Sequence, residues 1–400
     1  MNILFKKTAL KNALTLLAKM QGRSLPILSH VRMQTIACAG GNVVLTATDL
    51  VTTCSLPIEV EVSEPADCCL PTKALSAMAR VMPGESLHLQ SGSDYTAKVS
   101  APESSIEYSM LTLPSAEFPM PKAAVKPVRL RFVRATFLSA IEKVAHAMSS
   151  EGSRYVLNGV RVQRSLTGPN SADVVATDGR RLTLRRFALA DEDKGKEFGF
   201  IIPRDSLPGL RHWLKMCSDF SIDLASESED GRHLQVWLTS EKVGSLYIKC
   251  IDGNYPDFGR VIPSGEPVAR ITLARKALLD AIRMVSIVTP PENSFAFTFS
   301  PSEIQIKGAD IRSGMSASMT VPCECSVDLV PVEIRINFQF IAESLASIES
   351  EEIEIALSGG NTGHPIVIAP VGSRNSVNVV MPLRGKGQEF EAIKIRSKTA

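Results

Sequence analysis

The sequence is short of the patterns that mark metal sites and most enzymes. Its eight cysteines, Cys38, Cys54, Cys68, Cys69, Cys217, Cys250, Cys323 and Cys325, form no C-x-x-C pair and have no histidine at zinc-ligand spacing, which argues against bound metal. There is no G-x-S-x-G elbow, no G-x-x-x-x-G-K-S/T phosphate loop and no H-E-x-x-H, so those hydrolase, nucleotide-binding and metalloprotease signatures are excluded. Apolar runs nowhere approach the roughly 18 residues that a membrane span needs. Near the start, Lys6, Lys7, Lys11 and Lys19 break every apolar run before it reaches signal-peptide length; the expectation is an unprocessed cytoplasmic protein with reduced thiols. A net charge of +2 is too small for bulk charge to name nucleic acid or membrane as a partner.

What the chain does have is length, apolar content and repetition. Its 400 residues, 44% hydrophobic, suffice for two to four domains with their own cores. Three segments run an apolar strand pattern into a small residue and an aspartate, at Asp49, Asp178 and Asp310, spaced 129 and 132 residues apart. About 35 residues upstream of each aspartate lies a helical pattern, in register as Leu10-x-x-Ala13-Leu14, Phe137-x-x-Ala140-Ile141 and Leu278-x-x-Ala281-Ile282. A second helix is expected after each, over 71–82, 203–216 and 337–350, the first two opening on proline. Alternating runs such as Ile58-Glu-Val-Glu-Val62 and Glu303-Ile-Gln-Ile-Lys307 predict antiparallel strands with one wet face.

Per repeat the predicted order is strand, helix, three strands, then the same again. Strands in threes between helices do not build a βαβ parallel sheet, so the fold class is α+β, with two helices per domain packed on antiparallel sheets. Proline-rich joints at 113–119 and 255–263 place domains at 1–126, 127–266 and 267–384, followed by a C-terminal extension over 385–400 that is expected to be disordered.

Charge is partitioned between elements. The six helical segments, counted over 6–20, 71–82, 133–148, 203–216, 274–285 and 337–350, sum to +9, which leaves −7 for the rest of the chain. Five are basic and only 337–350 is acidic. If the helices share a face, that face attracts a polyanion without any element that reads bases. Each helix taken singly reads equally well as an ordinary solvated surface.

On these residues the chain resembles the bacterial DNA polymerase III beta subunits, the beta sliding clamps. The resemblance runs to about Arg384 and is carried by Arg23-Ser-Leu-Pro-Ile-Leu28, Ala47-Thr-Asp-Leu50, Leu113-Pro-Ser-Ala-Glu-Phe-Pro119, Arg154-Tyr-Val-Leu-Asn-Gly159, Val175-Ala-Thr-Asp-Gly-Arg-Arg-Leu182, Ile202-Pro-Arg204, Asp252-Gly-Asn-Tyr-Pro-Asp-Phe258 and Val379-Val-Met-Pro-Leu-Arg384. It implies the DNA-clamp fold and a head-to-tail homodimeric ring that encircles double-stranded DNA as a processivity factor, without catalysis, cofactor or membrane. By position, the family's DNA-contacting residues fall on Arg23, Arg80 and Tyr155, with Lys73, Arg204 and Lys215 as basic helpers. The family's pocket for short linear motifs, through which the replicative DNA polymerase, the clamp loader and other clamp-binding proteins attach, maps to Leu157, Thr177, Gly179, Arg180, Arg181, Leu182, Pro256, Arg260, Val261, Asn337, Phe340, Val379, Met381, Pro382, Leu383 and Arg384. There, aliphatic walls would receive apolar side chains while arginine, asparagine and backbone groups fix the polar ends.

Two departures bear on peptide preference: Phe340 stands where a tyrosine is common, and Arg180 where histidine or an aromatic is frequent. The tail is a third. It leaves from the pocket's rim, and Gln388-Glu-Phe-Glu-Ala-Ile393 would be a weak internal competitor for partner peptides if it folded back. Two rival readings stand beside the clamp. One is an enzyme using Asp178, His146 and Ser153; the other is a scaffold of three β-rich modules whose basic helices are coincidental.

Overall fold

The structure is a computed structural model that describes residues 2–36, 42–65, 67–92, 95–122, 127–168, 170–226, 233–290, 295–383 and 391–396. Cys38, the proposed boundary at 126, Arg384 and the 388–390 part of the tail motif lie outside the described residues.

The first repeat comprises β1 (Asn2–Lys6), α1 (Lys7–Leu17), β2 (His30–Ile36), β3 (Asn42–Thr48), β4 (Thr52–Glu59) and β5 (Glu61–Glu64), then β6 (Asp67–Pro71), α2 (Thr72–Val81), β7 (Ser86–Ser91), β8 (Thr96–Ser100), β9 (Glu107–Leu111) and β10 (Leu113–Pro114). The second has β11 (Val128–Arg131), α3 (Arg134–Val144), β12 (Gly159–Arg164), β13 (Ser171–Thr177) and β14 (Arg181–Ala188), then β15 (Gly199–Pro203), α4 (Leu207–Met216), β16 (Ser221–Ser226), β17 (His233–Ser240) and β18 (Gly244–Lys249). The third has β19 (Ala269–Ala274), α5 (Arg275–Ser286), β20 (Phe295–Phe299), β21 (Glu303–Asp310), β22 (Met315–Pro322) and β23 (Glu324–Cys325), then β24 (Val332–Ile336), α6 (Phe338–Ala346), β25 (Glu352–Leu357), β26 (Ile366–Pro370) and β27 (Ser376–Val380). Strand, helix and three strands recur twice per repeat as the hydrophobic patterns predict; β5, β10 and β23 are short additions. The helical segment expected over 203–216 opens instead with a 3-10 turn at Arg204–Ser206, before Pro208 sets the first turn of α4.

The chain folds into two compact units, one of residues 1–138 and 189–252, the other of 139–188 and 253–400, so the middle repeat is shared between them. The cause is sheet continuity across the repeat junctions. In the first unit β4 pairs antiparallel with β18, giving one sheet in the order β10-β6-β2-β3-β4-β18-β17-β16-β11. The unit also holds β15 and a separate five-stranded sheet in the order β5-β1-β7-β8-β9. In the second unit β14 pairs with β27, and the order runs β12-β13-β14-β27-β26-β25-β19-β23, with β22-β21-β20-β24 as a separate sheet.

Helices pack on these sheets by their apolar stripes. In α1 the buried residues are Leu10, Ala13, Leu14 and Leu17, at a spacing of three and four, together with Leu16 beside that stripe, which leaves Lys11 on the wet side. In the second unit α5 packs against α6 and over β21 and β22, and Phe295 of β20 stacks on Phe338 of α6 with ring centroids 4.3 Å apart.

The repeated aspartates do the same local work. Asp49 accepts the backbone N–H groups of Val51 and Thr52 at 2.9 and 2.5 Å, Asp178 those of Arg180 and Arg181 at 2.9 and 3.0 Å, and Asp310 those of Arg312 and Ser313 at 3.0 and 3.2 Å. Each is a side-chain turn that ends one strand and aims the next. The second turn needs a residue in the left-handed region, supplied by Gly179 at φ +86°, and the first forces Leu50 to φ +77°.

Candidate functional site

Every described residue expected in the peptide pocket falls in the second unit. The site is built on the antiparallel pair β14 and β27, in which Leu182 stands opposite Val379 and Arg181 opposite Val380. Leu182 and Val379 are buried with Val175, Leu184 and Phe258, so the loop 255–262 is pinned to the outer face of the sheet by Phe258, with Tyr255 and Ile262 beside it. After β27 the chain crosses between sheets: Met381 N–H donates to the Arg180 carbonyl at 2.9 Å, and Leu383 N–H to the Arg335 carbonyl at 2.8 Å. Leu383 and Val261 are about 40% exposed, which leaves apolar side chains on the surface here. Leu157 is buried in the Gly152–Leu157 turn before β12, and Pro256 and Arg260 are exposed, Arg260 pairing with Asp257 at 3.0 Å.

Arg181 differs from the expectation that arginines in the pocket offer free donors. Its Nε donates to Asp178 Oδ2 at 3.1 Å, its Nη2 to the His146 carbonyl at 2.6 Å and its Nη1 to Glu343 Oε2, while the guanidinium lies 4.4 Å from the centre of the Phe340 ring. All three nitrogens are therefore engaged within the protein, and the group fixes the wall formed by Phe340. Asn337 likewise spends its side-chain oxygen on capping α6, accepting Gln339 N–H at 2.9 Å. Arg180 is exposed, 3.9 Å from Glu151.

Behind this wall is a polar layer that the sequence did not reveal. His146 Nε2 lies 3.2 Å from Thr183 Oγ1, and Arg185, 6% exposed, donates to the Leu184 carbonyl at 2.8 Å and to Ser347 Oγ at 2.8 Å. Burial lowers the His146 pKa to about 4, helped by Arg181 and Arg185, and burial also pushes Arg185 down to about 10. Glu343 and Phe340 are three apart on α6; that spacing was the only available hint, since Arg181 and Glu343 are 162 residues apart. Asp178 directs both oxygens at residues 180 and 181, a use that removes it as the acid of an Asp178-His146-Ser153 arrangement.

The residues expected at DNA divide unevenly. Arg23, Lys73, Arg80, Arg204 and Lys215 belong to the first unit, and Tyr155, 55% exposed, to the second. In the first unit α1 packs against both α2 and α4, so helices of the first and second repeats are neighbours. Lys11, Lys73, Arg80 and Lys215 are exposed on them, and Lys19 and Arg23 are exposed just beyond α1. Lys19 Nζ lies 2.9 Å from His212 Nδ1, and partial burial together with Lys19 and Lys215 holds the His212 pKa below its usual value. Lys6, Lys7, Lys11 and Arg80 line one cleft at the start of α1.

Among the described residues no three His, Cys, Asp or Glu side chains gather as metal ligands, and no helix is long and apolar enough to cross a membrane. The described cysteines are free thiols, and burial raises Cys68, Cys217 and Cys323 to about 11.

Repeated modules of two helices on antiparallel sheets, joined strand to strand at each junction, define the DNA-clamp class of fold. The family description "DNA polymerase III beta subunit, central domain" matches residues 132–257, and "DNA polymerase III beta subunit, C-terminal domain" matches 259–384. The chain belongs to the DNA polymerase III beta subunit family. Curated relatives include beta sliding clamps of Synechococcus elongatus, 25% identical over 85% of this chain and 87% of that protein, and of Pseudomonas putida, 25% identical over 96% and 100%. Among solved structures, the Pseudomonas aeruginosa DNA polymerase III subunit beta has a TM-score of 0.85 at 22% identity, covering 96% of this chain and 100% of that one. The Bacillus subtilis DNA polymerase sliding clamp also has a TM-score of 0.85, at 19% identity, covering 96% and 99%.

Proposed function

We propose that this protein is a non-catalytic processivity factor of DNA replication, working in the cytoplasm. In this reading three domains, 1–126, 127–266 and 267–384, close head to tail with a second copy into a ring around duplex DNA. The observation that carries the DNA part is the packing of α1 against α2 and α4, which makes neighbours of exposed lysines and arginines from two repeats. Duplex DNA carries a charge every ~1.7 Å of axis, so such a layer holds phosphates irrespective of sequence and lets the protein slide.

Two sheet edges support self-association. Among the described residues β9 ends the five-stranded sheet of the first unit and β22 the four-stranded sheet of the second. Leu111 and Tyr108 on β9 and Met315 on β22 are exposed, and an uncovered edge of this kind accepts another chain's strand. The pocket around Leu182, Phe340, Val379 and Met381 would tether the replicative polymerase, the clamp loader and other proteins bearing short linear motifs. Retention on DNA tests the reading. Loaded protein is expected to stay on circular duplex through gel filtration and to be lost once the circle is cut. Equal retention on linear and circular DNA would mean that the protein binds without enclosing.

A further inference from the structure

We infer that residues 391–396 form a strap that braces one wall of the peptide pocket, so that partner affinity depends on a segment bonded elsewhere. The inference rests on the proposal that this pocket receives partner peptides. Thr362 N–H donates to the Glu391 carbonyl at 2.9 Å, Glu391 N–H to Thr362 Oγ1 at 3.0 Å, and Ile393 N–H to the Gly360 carbonyl at 3.0 Å. On the opposite side Val330 N–H donates to the Lys394 carbonyl at 3.0 Å and Arg396 N–H to the Asp328 carbonyl at 2.8 Å. Bonds that alternate from side to side are those of an extended strand laid between two loops. Ile393 anchors it, half-buried against the core of the third repeat. This corrects two expectations for these six residues: they are paired where disorder was expected, and they are bonded to 328–330 and 360–362 where a competitor would occupy the pocket.

Both loops lead directly into strands that hold the pocket wall. Residues 360–362 belong to the hairpin between β25 and β26, and Ile366 of β26 pairs with Val380. Residues 328–330 lead into β24, whose Arg335 carbonyl receives Leu383 N–H. The pocket wall 380–383 is thus held by two strands whose entrances the strap ties together. Five hydrogen bonds and one half-buried side chain are set against the ordering of six residues, so the strap sits near balance and one substitution releases it.

The test uses the intact chain, a version lacking 391–400, and full-length Ile393→Asp and Ile393→Val. The probe is a fluorescent peptide with leucine and phenylalanine set between polar residues. In the truncated and Ile393→Asp proteins, amide exchange at Val330 and Thr362 is expected to accelerate at least about tenfold and the peptide Kd to rise about fivefold. Ile393→Val should resemble the parent in both. Unchanged exchange overturns the strap, whereas faster exchange with unchanged Kd overturns the brace. Tighter binding on truncation overturns it in favour of competition. If the parent binds no peptide, the pocket reading fails and takes the inference with it, while the exchange data still report on the strap.

Discussion

Arg181 concentrates the chemistry of the candidate pocket because it does several jobs with one guanidinium: it completes the Asp178 turn, caps the His146 carbonyl, pairs with Glu343 and covers Phe340. Glu343 is half exposed, so its charge contributes modestly to stability and more to orientation. Glu343→Gln is therefore expected to weaken peptide binding roughly threefold, about 0.6 kcal/mol, with little change in unfolding. A double-mutant cycle with Phe340→Leu checks the route: coupling should be measurable, since the two side chains act through the same guanidinium. His146 offers a pH test. Its folded pKa of about 4 lies below the unfolded 6.5, so the unfolded chain binds the proton first. Stability is full above pH 6.5 and is lost as pH falls toward 4. Denaturant unfolding at pH 7 and pH 5 should differ by about 2 kcal/mol more in the parent than in His146→Asn, in which that titration is gone.

At the scale of elements, α1 is the clearest case of sequence dictating both packing and purpose, with an apolar stripe at three-and-four spacing and lysines elsewhere. If its lysines and those of its neighbours meet phosphates, removing charge should act alike on every DNA sequence. The triple variant Lys11→Gln, Lys19→Gln and Lys73→Gln is expected to lower affinity uniformly and to flatten the log-log salt dependence by about 2 to 3, which a titration in chloride salt measures. An unchanged slope would place those side chains away from DNA. The helices, the strands in threes and the aspartate turns were legible because each is set by residues within a few positions of one another, as at Asp178 and Arg181. The pairings of β4 with β18 and of β14 with β27 were not legible, because strand partners far apart in sequence leave no local mark. The same applies to the engagement of Arg181 by Glu343, 162 residues away in sequence. Docking of 391–396 escaped for another reason: it is made mostly by backbone groups, which every sequence possesses.

For the whole molecule the proposal separates two properties that simple DNA binding confuses. Basic helices give affinity that salt erases, while closure gives retention that only a free DNA end or an opened ring should release. The two are separable through the sheet edges, since Leu111 of β9 and Met315 of β22 are 74% and 50% exposed and no core depends on them. Leu111→Asp and Met315→Asp should each raise the dimer dissociation constant about tenfold, near 1.4 kcal/mol, as read by sedimentation at falling concentration, with unfolding unchanged. Carboxylates on both edges should go further, because like charges would then face each other wherever strand meets strand. Binding to short DNA at low salt should survive in the double variant, since α1, α2 and α4 are untouched, yet retention on circular DNA should disappear. Loss of both together would tie affinity to the dimer, and survival of both would mean that these edges do not close the ring.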